Sequence, residues 1–182
     1  YQHSFFKNSP IQLYTARAGN VIGGGDWSDN RIITDIIKFL YMNKNELVIR
    51  YPNSVRPWQH VLDAIFGYLL IIQKSWEDKI TPGESFNLGP MEDKEINVKE
   101  LIEIYSSKIE RDINYSLINS PSKHEDNKII LNSEKAVSVL QWTPKFSIIN
   151  SIEQTANWYN LYYKKENIIF YSTNLIKRYI DE

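Results

Sequence analysis

Apolar residues recur along the chain with two different periods, and each period predicts one kind of element. A repeat of about 3.6 residues predicts helices over residues 32–41, 98–109, 134–140 and 152–159. Short apolar or alternating runs predict strands over residues 11–17, 47–50, 85–90, 114–118 and 128–132. Residues 62–76 are apolar around most of a helix circumference, which predicts a helix that is buried on several sides.

Capping and helix-breaking residues mark the limits of these elements. Pro10 cannot continue a helix, so a first helix over residues 1–7 is expected to end before it. Side chains that can accept a free backbone N–H predict helix starts at Asp29 or Asn30, at Asn97, at Ser133, and at Ser147 or Asn150. We also expect residues 55–61 to be extended around Pro57, residues 121–127 to form a loop, and residues 173–178 to form a terminal helix.

Strands that alternate with helices indicate an α/β protein with the later, smaller elements in an attached subdomain. Too few strands are present to complete a parallel sheet. The chain also begins at Tyr1, without methionine, signal-peptide layout or helix cap. We therefore interpret the sequence as a fragment that lacks an upstream portion, with processing to a mature form as the competing explanation.

Composition narrows the possible functions. The formal net charge is −1, so no overall field favours nucleic acid or an anionic membrane, and neither is expected as a partner. The chain has no cysteine, which excludes disulfides, thiolate catalysis and cysteine metal sites and suits a cytoplasmic protein. No apolar run approaches the roughly 18 residues of a membrane span.

Residues 16–27 are the most distinctive stretch of the sequence. They follow a predicted strand and hold four glycines within seven residues, flanked by Arg17, Asn20 and Asp26. A glycine-rich turn at a strand end exposes backbone N–H groups and lets a ligand approach the main chain. A flexible surface turn is the plainer interpretation of the same residues.

Further polar groups are expected at other element ends. Arg31 begins a helix, where the free N–H groups favour phosphate. Arg56 lies in a stretch restricted by Pro57, which suits a rigid bidentate contact, and Asn87 ends a strand. Each arginine alone is explained by a surface ion pair. Together with Asn20, the three residues predict one shared polyanion site.

Histidine and tryptophan residues offer weaker signals. His60 has no nucleophile motif beside it, so we expect it to pack or to contact substrate rather than to act as a general base. His124 has no partner at metal-ligand spacing, so no metal site is predicted. Trp142 and Trp158 are expected in the core, whereas Trp58 lies close to Arg56.

Two motifs are distinctive, Gly-Gly-Gly-Asp-Trp at residues 23–27 and Arg-Pro-Trp-Gln-His at 56–60, and the run Asp-Asn-Arg-Ile-Ile at 29–33 lies between them. With these motifs the chain resembles the CDP-glucose 4,6-dehydratases, which belong to the extended short-chain dehydrogenase/reductase family. Further matches are Gly-Tyr-Leu-Leu at 67–70, Phe-Asn-Leu-Gly-Pro at 86–90, and Leu-Gln-Trp-Thr-Pro at 140–144, the last of which has a pattern that many relatives share. The resemblance covers nearly the whole chain.

The resemblance implies the C-terminal part of a Rossmann-type NAD(P)-binding fold with a small mixed α/β substrate-binding subdomain. Residues 1–90 would hold the final Rossmann strands with interleaved substrate-binding segments, and 91–182 would be mainly the subdomain. The full-length enzyme would be a homo-oligomer that uses NAD to convert CDP-glucose to CDP-4-keto-6-deoxyglucose, for deoxysugar and O-antigen biosynthesis. Arg17, Ala18 and Gly19 would border the cofactor, and Asn20, Arg31, Arg56 and Asn87 would bind the substrate.

The sequence also departs from the family pattern. It contains no Gly-x-x-Gly-x-x-Gly loop, and no tyrosine is followed four residues later by lysine. We therefore expect no catalytic residue within this chain and no activity of the chain alone. Asn132 stands where relatives tend to carry Asp. Another nucleotide-sugar epimerase or dehydratase and a non-catalytic binding fragment remain as alternatives.

Overall fold

The computed structural model describes residues 1–91, 94–118 and 126–181. The helices are α1 Gln2–Phe5, α2 Ile32–Tyr41, α3 Val61–Trp76, α4 Val98–Ile109, α5 Ile148–Tyr163 and α6 Ile168–Asp181, with a π-helical turn at Ala136–Leu140. The strands are β1 Thr15–Ala18, β2 Asn20–Ile22, β3 Leu47–Ile49, β4 Trp58–His60, β5 Ser85–Leu88 and β6 Tyr115–Leu117. The predicted α/β class is confirmed.

The described strands form three parallel pairs, and one glycine connects two of them. β1 pairs with β5, β2 with β4, and β3 with β6. The backbone N–H of Gly19 donates to the carbonyl of Leu88 at the end of β5, and the next N–H, of Asn20, donates to the carbonyl of Pro57 just before β4. At Gly19 the chain therefore changes its hydrogen-bonding partner from β5 to β4 while it continues in one direction.

Helix α3 connects β4 to β5 and covers one side of these strands. Gly67 of α3 is buried against Leu88, where an added Cβ would lie 2.5 Å from the leucine side chain. The predicted burial on several sides is wrong within the described residues. Ile65, Leu69 and Ile72 are 45%, 57% and 64% exposed, because described elements pack against only one face of the helix.

Two hydrophobic clusters hold the elements together. The larger lies between α2, α4, α5 and the β2–β4 and β3–β6 pairs. The smaller surrounds Trp142, which is fully buried against α3, β5 and the π-helical turn. The predicted core position of Trp142 is confirmed. Trp158 is partly buried and packs against the larger cluster.

Some predicted boundaries are corrected. The strand expected over residues 11–17 begins only at Thr15, and the strand expected over 128–132 is reduced to an isolated bridge between Lys128 and Val55. The Ser133 hydroxyl does not cap the following helix, since it bonds the backbone of Gly89 instead. The Asn132 side chain accepts the Glu134 N–H at 2.9 Å in its place.

Other expectations agree with the structure. Asn97 and Glu100 form a capping box at the start of α4, and Ser147 caps α5. The predicted terminal helix is part of the longer α6. Most of the loop predicted over 121–127, including His124, lies outside the described residues. No helix in the described ranges is long and apolar enough to cross a membrane.

Candidate functional site

A cleft of about 510 Å³ lies between β2, the N-terminal end of α2 and the end of β3. Asn20, Arg31 and Arg56 all line it, together with Gly19 and Trp58. Side chains separated by more than thirty positions in the sequence thus meet at one site. The volume falls within the range of about 300–1,000 Å³ that is typical of small-molecule sites.

The first wall of the cleft is the N-terminal end of α2. Arg31 occupies the cap position in an extended conformation, and no side chain in the described part of the chain caps the helix. The expected caps, Asp29 and Asn30, are wrong, because Asp29 pairs with Lys38 and Asn30 adopts a left-handed φ of 61°. Uncapped N–H groups and the positive end of the helix dipole favour an anion at this wall.

The Arg31 guanidinium is held at this wall by Asp26. Arg31 Nη1 donates to Asp26 Oδ2 at 3.0 Å, and the Ser28 N–H donates to Asp26 Oδ1 at 2.9 Å. Burial raises the pKa of Asp26, but the hydrogen bonds from Ser28 and the charge of Arg31 outweigh it, so this pKa is lowered overall. Asp26 is therefore ionised at neutral pH and keeps Arg31 beside the cleft.

Arg56 is the buried cation of the site. Only 6% of it is exposed, and its Nη1 donates to the Val55 carbonyl at 2.8 Å. The following Trp58 fixes β4, because its indole N–H donates to the Ile96 carbonyl at 3.0 Å. A guanidinium with little exposure to water interacts more strongly with an anion than a surface cation does.

The glycine-rich turn beside the cleft packs against α5. Gly24 lies against Trp158, where an added Cβ would be 2.0 Å from the indole ring. Tyr159 donates to the Asp26 carbonyl and accepts the Asp26 N–H. The plainer interpretation of a flexible surface turn does not account for these contacts with α5. Sequence reasoning missed Tyr159, whose position on the apolar stripe of α5 marked it only as a core residue.

The remaining predicted site residues lie on the neighbouring β1–β5 pair. Arg17 and Ala18 are in register with Asn87 and Leu88. The Asn87 amide donates to the Asn132 carbonyl at 3.2 Å and does not line the cleft. The structure thus brings Asn20, Arg31 and Arg56 together and leaves Arg17 and Asn87 on an adjacent pair of strands.

His60 has a packing role. It is 2% exposed, lies edge-on to Phe146, and accepts the Leu62 N–H at its Nδ1 as the cap of α3. Burial lowers its pKa to about 4, which keeps the imidazole neutral at neutral pH. The expectation that His60 packs rather than acts as a general base agrees with these contacts.

The part of the cleft at the end of β3 was not foreseen from the sequence. It contains Val48, Arg50 and Tyr51. The sequence did offer one signal, since Val48 and Arg50 alternate with the apolar Leu47 and Ile49. Such alternation places two residues on the side of a strand away from the core.

Comparison with known proteins agrees with the motifs. Residues 2–89 match the NAD dependent epimerase/dehydratase family. The CDP-glucose 4,6-dehydratase of Salmonella typhimurium is 29% identical over 185 residues, which cover 99% of this chain and 51% of that protein. The predicted resemblance to the extended short-chain dehydrogenase/reductase family is confirmed.

Two solved structures share the fold of this chain. The UDP-glucuronic acid 4-epimerase of Bacillus cereus, in complex with UDP-glucuronic acid and NAD, has a TM-score of 0.71 at 19% identity, over 87% of this chain and 48% of that one. The dTDP-glucose 4,6-dehydratase of Bacillus anthracis, in complex with NAD, has a TM-score of 0.68 at 21% identity, over 86% and 47%. The chain spans about half the length of the relatives that it matches.

Proposed function

We propose that this chain is the nucleotide-sugar-binding part of an NAD-dependent CDP-glucose 4,6-dehydratase, a hydro-lyase. The observation that carries the proposal is the cleft that the buried Arg56 lines together with the start of α2, where no described side chain caps the helix. In this proposal residues 1–90 provide the last Rossmann strands with interleaved binding segments, and 91–182 provide mainly the substrate-binding subdomain.

The cleft suits the diphosphate of a nucleotide sugar. Arg56 offers a planar set of donors that matches two phosphate oxygens, and the first turn of α2 adds backbone N–H groups. Arg31 contributes a second cation, which Asp26 keeps in place until an anion enters. Asn20, at the junction of β1 and β2, lines the cleft, and its amide would bond a sugar hydroxyl or a phosphate oxygen.

The motifs and the 29% identity with the Salmonella enzyme support CDP-glucose as the substrate. In the full-length enzyme the sugar would be oxidised at C4, water would leave across C5 and C6, and a hydride would return to C6. The product, CDP-4-keto-6-deoxyglucose, would serve deoxysugar and O-antigen biosynthesis in the cytoplasm, and the enzyme would be a homo-oligomer. No residue of this chain is assigned to the acid–base steps.

The residues of this chain that would contact NAD form only one edge of a cofactor site. Gly19 presents no side chain where β1 passes into β2, and Arg17 and Ala18 precede it on the strand. These three residues would border the cofactor, and NAD in such a site supplies reversible acceptance of a hydride. The chain itself would contribute the orientation of the sugar nucleotide beside that edge.

Calorimetric titration of the chain with CDP-glucose tests the proposal. Arg56→Ala is expected to weaken binding about 10- to 100-fold, because a hydrogen bond to a charged group contributes about 1.5–3 kcal/mol. Arg178→Ala is the control, since Arg178 is an exposed residue of α6 outside the cleft. Unchanged affinity of a folded Arg56→Ala variant would rule out the diphosphate role.

The same titration separates the alternatives. Tighter binding of UDP-glucose or dTDP-glucose than of CDP-glucose would indicate a related epimerase or dehydratase. Failure to bind any of the three, by the chain and by a version extended to the length of its relatives, would favour a non-catalytic binding module.

A further inference from the structure

We propose that Arg50 selects the base of the nucleotide by binding the acceptor edge of cytosine. The proposal rests on the function proposed above and identifies the residue that would distinguish a cytidine from a uridine diphosphate sugar. It concerns the part of the cleft at the end of β3.

Arg50 lines the cleft directly after the end of β3. Leu47 and Ile49 of that strand are 0% and 4% exposed and belong to the core, whereas Val48 between them is 38% exposed. Arg50 is exposed as well and lies two residues after Val48. Both line the cleft, and Val98 at the start of α4 adds further apolar surface.

Arg31 and Arg56, which also line the cleft, are the arginines assigned to the diphosphate, and each has a partner in the protein. Arg31 pairs with Asp26, and Arg56 donates to the Val55 carbonyl from a buried position. The side chain of Arg50 makes no hydrogen bond or ion pair with residues 1–91, 94–118 or 126–181, and it is exposed. It therefore presents a planar group of donors, with no acceptor, at the rim of an apolar wall.

This chemistry matches cytosine better than uracil. Cytosine presents two adjacent acceptors, O2 and N3, whereas in uracil the N3 position carries a proton and donates. A guanidinium can donate to both cytosine atoms at once, but with uracil one of its N–H groups would face another donor. Val48 and Val98 offer an apolar surface for the flat face of the ring, and the ribose would connect the base to a diphosphate at α2.

Calorimetry with CDP and UDP tests the assignment on the 182-residue chain. The wild-type chain is expected to bind CDP at least about 10-fold more tightly than UDP, because a bidentate arginine contact typically discriminates between bases to that degree. Arg50→Met keeps the aliphatic stem and removes the donors, so the preference should fall to within about 3-fold while the UDP affinity changes little. Arg50→Lys keeps the charge and should also lose most of the preference, since an ammonium group is a point charge.

Arg178→Met is the matched control and is expected to leave both affinities unchanged. Equal binding of CDP and UDP by the wild-type chain would overturn the assignment while leaving the diphosphate cleft intact. Equal weakening of both nucleotides by Arg50→Met would assign Arg50 to the phosphates and would also overturn it. Binding of neither nucleotide by the wild-type chain would reject this assignment together with the proposed function.

Discussion

Replacement of Gly19 by alanine is expected to disrupt the junction at which the chain leaves β5 and joins β4. An added Cβ would lie 2.1 Å from the Pro57 carbonyl oxygen, and real Cβ contacts are essentially never below 3.0 Å. The obstacle is main chain, so no side-chain rotation relieves it. The same carbonyl accepts the Asn20 N–H at 2.7 Å, which places the clash directly on a hydrogen bond between β2 and β4.

The cost follows from the movement that the clash requires. The Pro57 oxygen must retreat by about 0.9 Å, which breaks its bond to Asn20 and costs about 0.5–1.5 kcal/mol. Overpacking of the surrounding main chain adds about 1–3 kcal/mol. We therefore expect Gly19→Ala to lower the free energy of unfolding by about 2–4 kcal/mol.

Urea denaturation followed by far-UV circular dichroism measures this loss. Gly25→Ala is the matched control, because Gly25 has a positive φ of 86° but an added Cβ there would be at least 3.7 Å from any neighbour. Gly25→Ala should therefore lose about 1 kcal/mol of stability from the unfavourable backbone conformation and nothing from a steric clash. A Gly19→Ala variant that loses no more stability than Gly25→Ala would refute the steric argument.

Two further substitutions test the buried polar groups around α3. The folded pKa of His60, about 4, lies below the ordinary 6.5, so His60 stabilises the fold above pH 6.5 and loses this contribution as pH falls towards 4. The free energy of unfolding of the wild-type chain should fall by about 2 kcal/mol between pH 7.5 and pH 5. Urea titrations should show a smaller pH dependence for His60→Gln. An unchanged pH dependence in this variant would contradict the assignment to His60. Tyr179 donates to Asp63 Oδ1 at 2.8 Å, so Tyr179→Phe should cost about 2 kcal/mol, whereas Tyr162→Phe at an exposed position should cost less than about 0.5 kcal/mol. Equal melting of the two phenylalanine variants would argue against a stabilising role for the Asp63 contact.

The periodic helices were the most predictable part of the fold. The stripes of α2 and α4 determined the type and approximate extent of both helices, since each buries a single apolar face. The strand expected over 128–132 failed, because an apolar run does not reveal whether a partner strand lies within reach. The prediction that α3 is buried on several sides failed for a related reason. The hydrophobicity of a side chain indicates a preference for burial, but it does not show that a neighbouring element is present.

The arginines of the cleft were predictable as a group, but their environments were not. Element ends located Arg31 and Arg56 near one edge of the fold. Their difference in solvent exposure depends on long-range packing, since Arg56 is covered through β4 and Trp58 is anchored to Ile96. Arg50 was not predicted as a residue of the cleft, because the position of β3 depends on its pairing with a strand more than sixty residues away.

The glycine-rich turn shows why the candidate site requires both ends of the chain. Gly24 has no side chain because the indole of Trp158 occupies that space, and the Asp26 backbone is bonded through Tyr159. Asp26 in turn pairs with Arg31 at the cleft. The position of this cation therefore depends on α5, more than a hundred residues later in the sequence. Because α5 also packs into the larger core with α2 and α4, formation of the cleft is coupled to formation of that core.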